Sequence, residues 1–435
     1  QLPFEMSQKR VLIFAHDFPP YNSVGAFRPY SWYKYLPEVN IHPVIVTRHW
    51  DNIQNTALDY VVSSHATTIS VETINGATII RVPYKSNLRD RLLLEYGNSK
   101  YSFLRKVLSF LALVFSYPLS FFDNKWSLYK AAQAYLQENK VDAIIASGEP
   151  FILFKYARLL SKQFRVPYII DYRDGWTTKD DNLNASGFSK LLNDVWFRYF
   201  EKKYLKDARV VITSNPFEQI KLKRLVPSIE TATVFNGYIE EEIEQVNDVA
   251  QKNDKFRIAF AGTIYPYHRL EDFLKGFELF INKNAEANIE LSFLGIEYQP
   301  DQVARIKSFN SRLLPYINTT PRLSKKELFT KLAESNLLLV LTNPDNRLLP
   351  AKIYEYLALQ RRVIVSVNDH SDLEKIMNET NAGFNCNDSQ EVFKALEIAY
   401  NAFLKLGTLP STAENYQVYS RKNQAFNLAK LIEQV

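Results

Sequence analysis

Short apolar runs rich in β-branched residues alternate along this chain with amphipathic helical stretches, and that alternation confines it to folds built on parallel sheets. Val11–Ala15, Val141–Ser147, Val166–Ile170, Val210–Ser214 and Ala232–Phe235 read as strands. Ser127–Glu138, Phe151–Lys162, Ser189–Leu205 and Pro216–Leu225 read as the helices between them. The rhythm stops at Ile239–Asp254, which carries Glu240, Glu241, Glu242, Glu244, Asp248 and Asp254 without a strong apolar face and reads as an interdomain linker. It restarts at Phe256–Ala261 and continues through Ile289–Leu294, Leu337–Leu341 and Val363–Val367. The expectation is an α/β protein with two Rossmann-like lobes in tandem and a cleft between them. The lobes span 1–240 and 241–415, and a closing helix in 416–435 packs back on the first. A length of 435 residues suits two cores rather than one. In such sheets ligands bind at the carboxyl ends of strands.

Composition narrows the function classes. Hydrophobic residues at 46% and charged residues at 23% mark a globular chain. The single cysteine, Cys386, allows no internal disulfide and no cysteine-based metal site. A net charge of +6 suits an anionic small ligand or an anionic membrane surface better than nucleic acid, because no long basic run is present. Gln1–Arg10 is polar and Val11–Ala15 is too short for the apolar part of a signal peptide. The expected location is therefore the cytoplasm, with peripheral contact at the cytoplasmic face of the inner membrane. That contact rests on Tyr101–Phe122, an apolar, aromatic segment interrupted by Pro118 and accompanied by Arg105 and Lys106. It is too short to span a bilayer. Two readings stay open: a core helix, or a helix lying in a membrane interface.

Four segments carry the chemistry. Leu348-Leu349-Pro350-Ala351-Lys352-Ile353-Tyr354-Glu355 places a proline in a helix's first turn, where its missing N–H costs nothing. Lys352 then offers a cation to a diphosphate at the helix opening, and Glu355, three residues on, offers a carboxylate to a ribose diol. Ala261-Gly262-Thr263-Ile264-Tyr265-Pro266-Tyr267-His268-Arg269 follows the first strand of the second lobe. Gly262 admits close backbone approach there, and Arg269 suits a phosphate. Asp17-Phe18-Pro19-Pro20 and Ser23-Val24-Gly25-Ala26-Phe27-Arg28 follow the first strand of the first lobe. Ile170-Asp171-Tyr172-Arg173-Asp174-Gly175-Trp176 carries a strand into two carboxylates around an arginine. Asp171 reads as half of a structural Asp–Arg pair, and Asp174 as the outer, cleft-facing one.

The Leu-Pro-Ala-Lys-Ile-Tyr-Glu-Tyr-Leu-Ala segment, followed by Arg362-Val363-Ile364-Val365, resembles the donor-site segment of family 4 glycosyltransferases. The Gly262 loop is similar to the family's pyrophosphate loop, and the Gly25 loop to its first loop. Asp171–Trp176 looks like the Asp-x-Arg-Asp-x-Trp motif of members that build bacterial polysaccharides. The resemblance implies a GT-B fold and retaining transfer from a UDP- or GDP-sugar, without a metal. The acceptor it implies is a glycan or lipid-linked glycan, in surface polysaccharide or glycoprotein glycan assembly. It assigns Asp174 and Arg173 to catalysis. Gly25, Gly262, Thr263, Arg269, Leu348, Leu349, Lys352 and Glu355 go to the donor, and Asp17 and Arg28 to the acceptor side. Arg347 stands where the family often has a glutamate that touches the sugar. Two other readings use the same fold: a sugar-nucleotide 2-epimerase, and a non-catalytic sugar-nucleotide-binding module. The absence of Gly-x-Gly-x-x-Gly, of a Gly-Lys-Ser/Thr loop and of Asp-x-Asp disfavours dinucleotide, P-loop and metal-dependent chemistry.

Overall fold

The computed structural model describes residues 8–21, 23–51, 57–119, 122–179, 187–345 and 347–435. Within it the chain forms two compact units, one of residues 1–235 with 425–435 and one of 236–424.

The first unit is built on eight strands: β1 Lys9–Phe14, β2 Ile41–Arg48, β3 Ser70–Ile74, β4 Ala77–Val82, β5 Ala143–Gly148, β6 Tyr168–Tyr172, β7 Val210–Thr213 and β8 Thr231–Thr233. Their order across the sheet is β3-β4-β2-β1-β5-β6-β7-β8. All pair in parallel except the hairpin β3–β4, so the sheet is mixed. Successive side chains of a strand point to opposite faces, and β1 shows why both faces need cover. Leu12 and Phe14 enter a core with the helices Trp126–Glu138, Ile152–Phe164 and Arg198–Asp207. Val11 and Ile13 enter another with Trp32 from the helix Val24–Tyr35 and with Ala425, Leu428, Ala429 and Ile432. Those last four belong to the helix Arg421–Glu433, whose carbonyl end also receives Lys9 Nζ at 3.1 Å from Ile432 O.

The second unit has six strands: β9 Phe256–Ala261, β10 Ile289–Leu294, β11 Ile317–Thr319, β12 Leu337–Leu341, β13 Arg362–Ser366 and β14 Gly383–Cys386. Their order is β11-β10-β9-β12-β13-β14, parallel throughout. The helix Leu270–Lys283 repeats Leu270, Phe273, Leu274, Phe277, Phe280 and Ile281 at three- and four-residue steps, so one apolar stripe meets the sheet. Each sheet has a switch point, between β1 and β5 and between β9 and β12, where successive parallel crossovers run in opposite directions. At a switch point a crevice opens beyond the ends of that unit's own strands.

Two expectations change. Ile239–Asp254 is not a free linker: it lies in the second unit, where Glu240–Glu244 makes one helical turn and Ile243 and Val246 are buried. Two apolar residues pin a segment whose acidic neighbours concealed them. The core reading of Tyr101–Phe122 holds only past the helix: Ser102–Phe115 buries none of its residues, whereas Ser116 and Tyr117 are buried and Tyr117 joins the first unit's core. No helix among the described residues is long and apolar enough to cross a membrane.

Candidate functional site

In the second unit, β9 ends at Ala261 and Gly262 follows at φ +92°, a left-handed conformation that glycine adopts without strain. Lys352 reaches this strand end from the helix Lys352–Ala358. Its Nζ donates to Ala261 O at 2.6 Å, sits 3.8 Å from the Phe260 ring centroid, and lies 3.6 Å from where a Cβ on Gly262 would stand. Burial pushes its pKa down to about 7, against the pull of Glu355. An ammonium held there is short of counter-charge, the condition in which a phosphate is welcome.

Glu355 Oε1 accepts from Lys325 Nζ at 2.7 Å, and the same ammonium is 3.3 Å from Glu242. The Glu355 side chain is 26% exposed, which leaves it reachable. Thr263 shares a hydroxyl hydrogen bond with Tyr298, and Ile264 N donates to Gln299 Oε1 at 3.0 Å. Tyr265 and Tyr267 stack at 5.2 Å with His268 edge-on to both. Burial, then the charges of Lys352 and Arg305, hold the His268 pKa down to about 4, so its ring is neutral. Arg305 braces the loop by donating to His268 O at 2.8 Å while paired with Glu271 at 2.6 Å.

Not every expected donor residue gathers at Lys352. Arg269 is turned onto its own helix, donating from Nε to Asp272 at 2.8 Å. Leu348 is exposed and Leu349 half-buried in the loop before the helix. The helix itself opens at Lys352 rather than Pro350, and Ile353 N and Tyr354 N already bond Pro350 O and Ala351 O at 3.2 and 3.3 Å. Fewer free N–H groups remain than a helix opening at Pro350 would present, so the charge of Lys352 carries more of the anion's recognition.

In the first unit, the loop after β1 brings together residues that lie far apart in sequence. Asp17 Oδ1 receives His16 Nδ1 at 3.1 Å and the Tyr60 hydroxyl at 3.3 Å, and Asp17 Oδ2 is 3.6 Å from Arg173 Nη1. Burial acts to raise the Asp17 carboxyl, but the His16 hydrogen bond and the Arg173 charge outweigh it and hold its pKa low. Arg173 is fixed by donating to Gly148 O at 2.7 Å and Glu149 O at 2.6 Å. A Cβ on Gly25 would stand 1.5 Å from Arg173 Nη1 and 3.2 Å from Asp17 Oδ2, so a larger residue there must displace the Arg173 guanidinium from its present place. Trp176 anchors the far side of the loop, stacked on Phe151 and Tyr117 at 5.1 Å each, and leaves Asp174 exposed.

Asp171 and Arg28 form the buried structural pair. Nη2 to Oδ1 is 2.6 Å, Ser147 adds a bond to Oδ2 at 2.7 Å, and Arg28 Nη1 donates to Val234 O at 2.6 Å. Arg28 is 1% exposed with all three guanidinium nitrogens bonded inside the unit, so it braces the sheet rather than offering a face to an acceptor. The sequence reading missed His16, Tyr60, Lys325 and Arg305. Only His16 carried a signal, its place beside Asp17 at the end of the first strand. Among the described residues no group of three or more His, Cys, Asp or Glu is placed to hold a metal ion.

No family model matches the chain, and no curated protein matches it. Solved structures do match over almost the whole length. Sucrose-phosphate synthase from Thermosynechococcus elongatus is 13% identical, with 98% of each chain covered and a TM-score of 0.61. The trehalose-6-phosphate synthase OtsA is 13% identical over 98% of this chain and 99% of that one, at 0.62. Anabaena Alr3699/HepE in complex with UDP is 11% identical over 98% and 100%, at 0.54. At such identities the likeness is one of fold, and the fold is GT-B: two Rossmann-like α/β units, the first on a mixed sheet and the second on a parallel one.

Proposed function

We propose that this chain is a glycosyltransferase that moves a sugar from a nucleoside diphosphate sugar to a glycan or lipid-linked glycan, with retention, in surface polysaccharide or glycoprotein glycan assembly. The observation that carries the reading is the buried Lys352 ammonium beside Gly262 at a switch point, with Glu355 one turn along its helix. The diphosphate lies against Lys352 and the Gly262–Thr263 backbone, and the ribose diol bonds Glu355. Lys352 and backbone N–H groups supply the positive field that a metal ion supplies in other transferases. UDP is the preferred donor nucleotide, by analogy with the HepE fold neighbour solved with UDP.

For retention, the leaving diphosphate oxygen takes the proton of the acceptor hydroxyl on the same face of the sugar. The new glycosidic bond forms as the bond to the diphosphate breaks. The protein's part is then orientation and charge stabilisation. Gly25 gives the Asp17–Arg173 pair its room, Asp17 orients the acceptor hydroxyl, and Asp174 with Arg173 stabilises charge at the reacting sugar. The exposed apolar helix Ser102–Phe115 with Arg105 and Lys106 supports peripheral contact with an anionic membrane.

A panel of UDP- and GDP-sugars tests this. At least one should raise the melting temperature and release free nucleoside diphosphate by transfer or slow hydrolysis. Glu355→Ala should weaken UDP binding about tenfold or more, an energy of about 1.4 kcal/mol. Asp174→Asn should cut turnover while keeping UDP affinity. No melting shift with any donor, or an isomerised sugar nucleotide as the product, overturns the reading.

A further inference from the structure

Pairing between β9 and β12 stops before the switch point. Leu337 faces Ile258 and Leu338 faces Ala259, and the register goes no further, while β9 runs on to Ala261. On the other edge of β9, Ala261 stays in register with Leu294, and Gly262 N donates to Leu294 O at 3.3 Å. The backbone polar groups of successive strand residues point to alternate edges. With the Gly262 N–H turned toward β10, the N–H and the C=O of Ala261 both face β12, where that strand has left the ladder. Ala261 is 6% exposed, and a buried backbone group left unpaired is costly.

One helix meets both groups. Lys352 Nζ donates to Ala261 O at 2.6 Å, and Ala261 N donates to the Tyr356 hydroxyl oxygen at 3.0 Å. The two residues are four apart on the helix Lys352–Ala358, the spacing that puts side chains on one face. The helix therefore stands in for the missing neighbour strand at a single residue of β9. Tyr356 is fully buried, and burial raises its hydroxyl well above the ordinary phenol range, so it stays neutral beside the amide that it accepts from.

This grip matters to Lys352. A lysine stem is long and rotatable, and its ammonium carries three donors. One goes to Ala261 O and keeps the ammonium beside the Gly262 turn, which leaves the others for diphosphate oxygens. Whatever holds the Ala261 backbone therefore holds the ammonium. On the β10 edge the tie is the long bond from Gly262 N, and on the β12 edge Tyr356 supplies a shorter one.

We propose that Tyr356 is a positioning residue for the diphosphate: its hydroxyl fixes the Ala261 backbone, and Ala261 O in turn fixes Lys352 beside Gly262. This rests on the reading of Lys352 and Glu355 as a nucleoside diphosphate site. Tyr356 acts through Ala261 and does not touch the ligand.

The test is ligand-observed NMR titration of the full chain with UDP and with uridine, at pH 6.5, in samples whose melting curves show folded protein. Tyr356→Phe removes one oxygen and keeps the ring in the core. It should weaken UDP about tenfold and leave uridine within about twofold, since uridine has no phosphate to meet Lys352. In a Lys352→Met background the same change should cost UDP nothing further, because two residues that act through one contact do not add. A Tyr356→Phe protein that binds UDP like the wild type overturns the proposal. Equal losses for UDP and uridine also overturn it, since they mark a general disturbance of the unit, and so do losses that add in the double variant. The transferase reading fails separately: a wild-type chain that binds no UDP, or a Lys352→Met chain that binds it like the wild type, sinks that reading whatever Tyr356 does.

Discussion

Lys352 concentrates the chemistry of the second unit into one ammonium. Burial lowers its pKa to about 7, because the charged form has the Ala261 carbonyl and the Phe260 ring for company and a partly engaged Glu355 at a distance. A bound diphosphate favours the charged form. Above pH 7 the free protein holds Lys352 mostly neutral, so binding must take up a proton, and affinity falls as pH rises. The limiting slope is about tenfold per pH unit for one proton. UDP titrations at pH 6.5, 7.5 and 8.5 should show that fall, and Lys352→Met should bind more weakly with the slope removed. A slope that survives in the methionine variant would place the proton elsewhere. What the sequence showed at this scale was residue type and spacing: Lys352, Glu355 and Gly262 were legible. Their partners were not, because Lys325 stands thirty residues before Glu355 and the Arg28–Asp171 pair joins residues 143 apart.

At the scale of elements, the loop after β6 is held from behind by a buried carboxylate. Glu201 accepts from the Tyr172 hydroxyl at 2.8 Å and from Thr177, and burial raises its pKa to about 7. A carboxyl raised above its unfolded value of 4.5 is most favourable to folding below that value, and its contribution is lost as pH climbs through 7. The stability of Glu201→Gln minus that of the wild type should therefore grow from pH 5 to pH 8, by about 2.5 kcal/mol at the 1.36 kcal/mol worth of each pKa unit. Urea unfolding at the two pH values measures it, and a constant difference refutes the raised pKa. The helix Ser102–Phe115 shows where sequence reading stops among elements. Its periodicity marks an apolar face, but a face covered by a core and one left open have the same periodicity. Because Phe103 and Phe110 are exposed, changing both to Asp should free the protein from anionic vesicles in co-sedimentation with the melting temperature unchanged. Vesicle binding that persists in the double variant removes this helix from the contact.

At the scale of the molecule, the alternation of strand and helix was legible because a parallel sheet needs apolar cover on both faces, which writes itself into every βαβ repeat. The hairpin β3–β4 was not read although β4 is an apolar run with five of its six residues buried; its partner β3 is exposed throughout, so Val71 and Ile74 there mark no buried face. Each unit owns its core, but the first is completed from the far end of the chain: Ala425, Leu428, Ala429 and Ile432 enter the layer with Val11, Ile13 and Trp32. Multi-domain chains need not unfold in one step, and this connectivity says which step each residue belongs to. Leu428, fully buried, should cost about 2–5 kcal/mol when truncated to Ala. That loss should fall on the transition of the first unit although the residue lies 193 positions beyond the end of that unit's N-terminal stretch at Phe235, by the numbering 428 and 235. UDP at about a hundred times its dissociation constant should raise only the other transition, by about 2.7 kcal/mol of added stability. Differential scanning calorimetry with and without UDP separates the two. If Leu428→Ala lowers the UDP-sensitive transition instead, the closing helix stabilises the nucleotide-binding unit, and the division of the cores drawn from its packing is wrong.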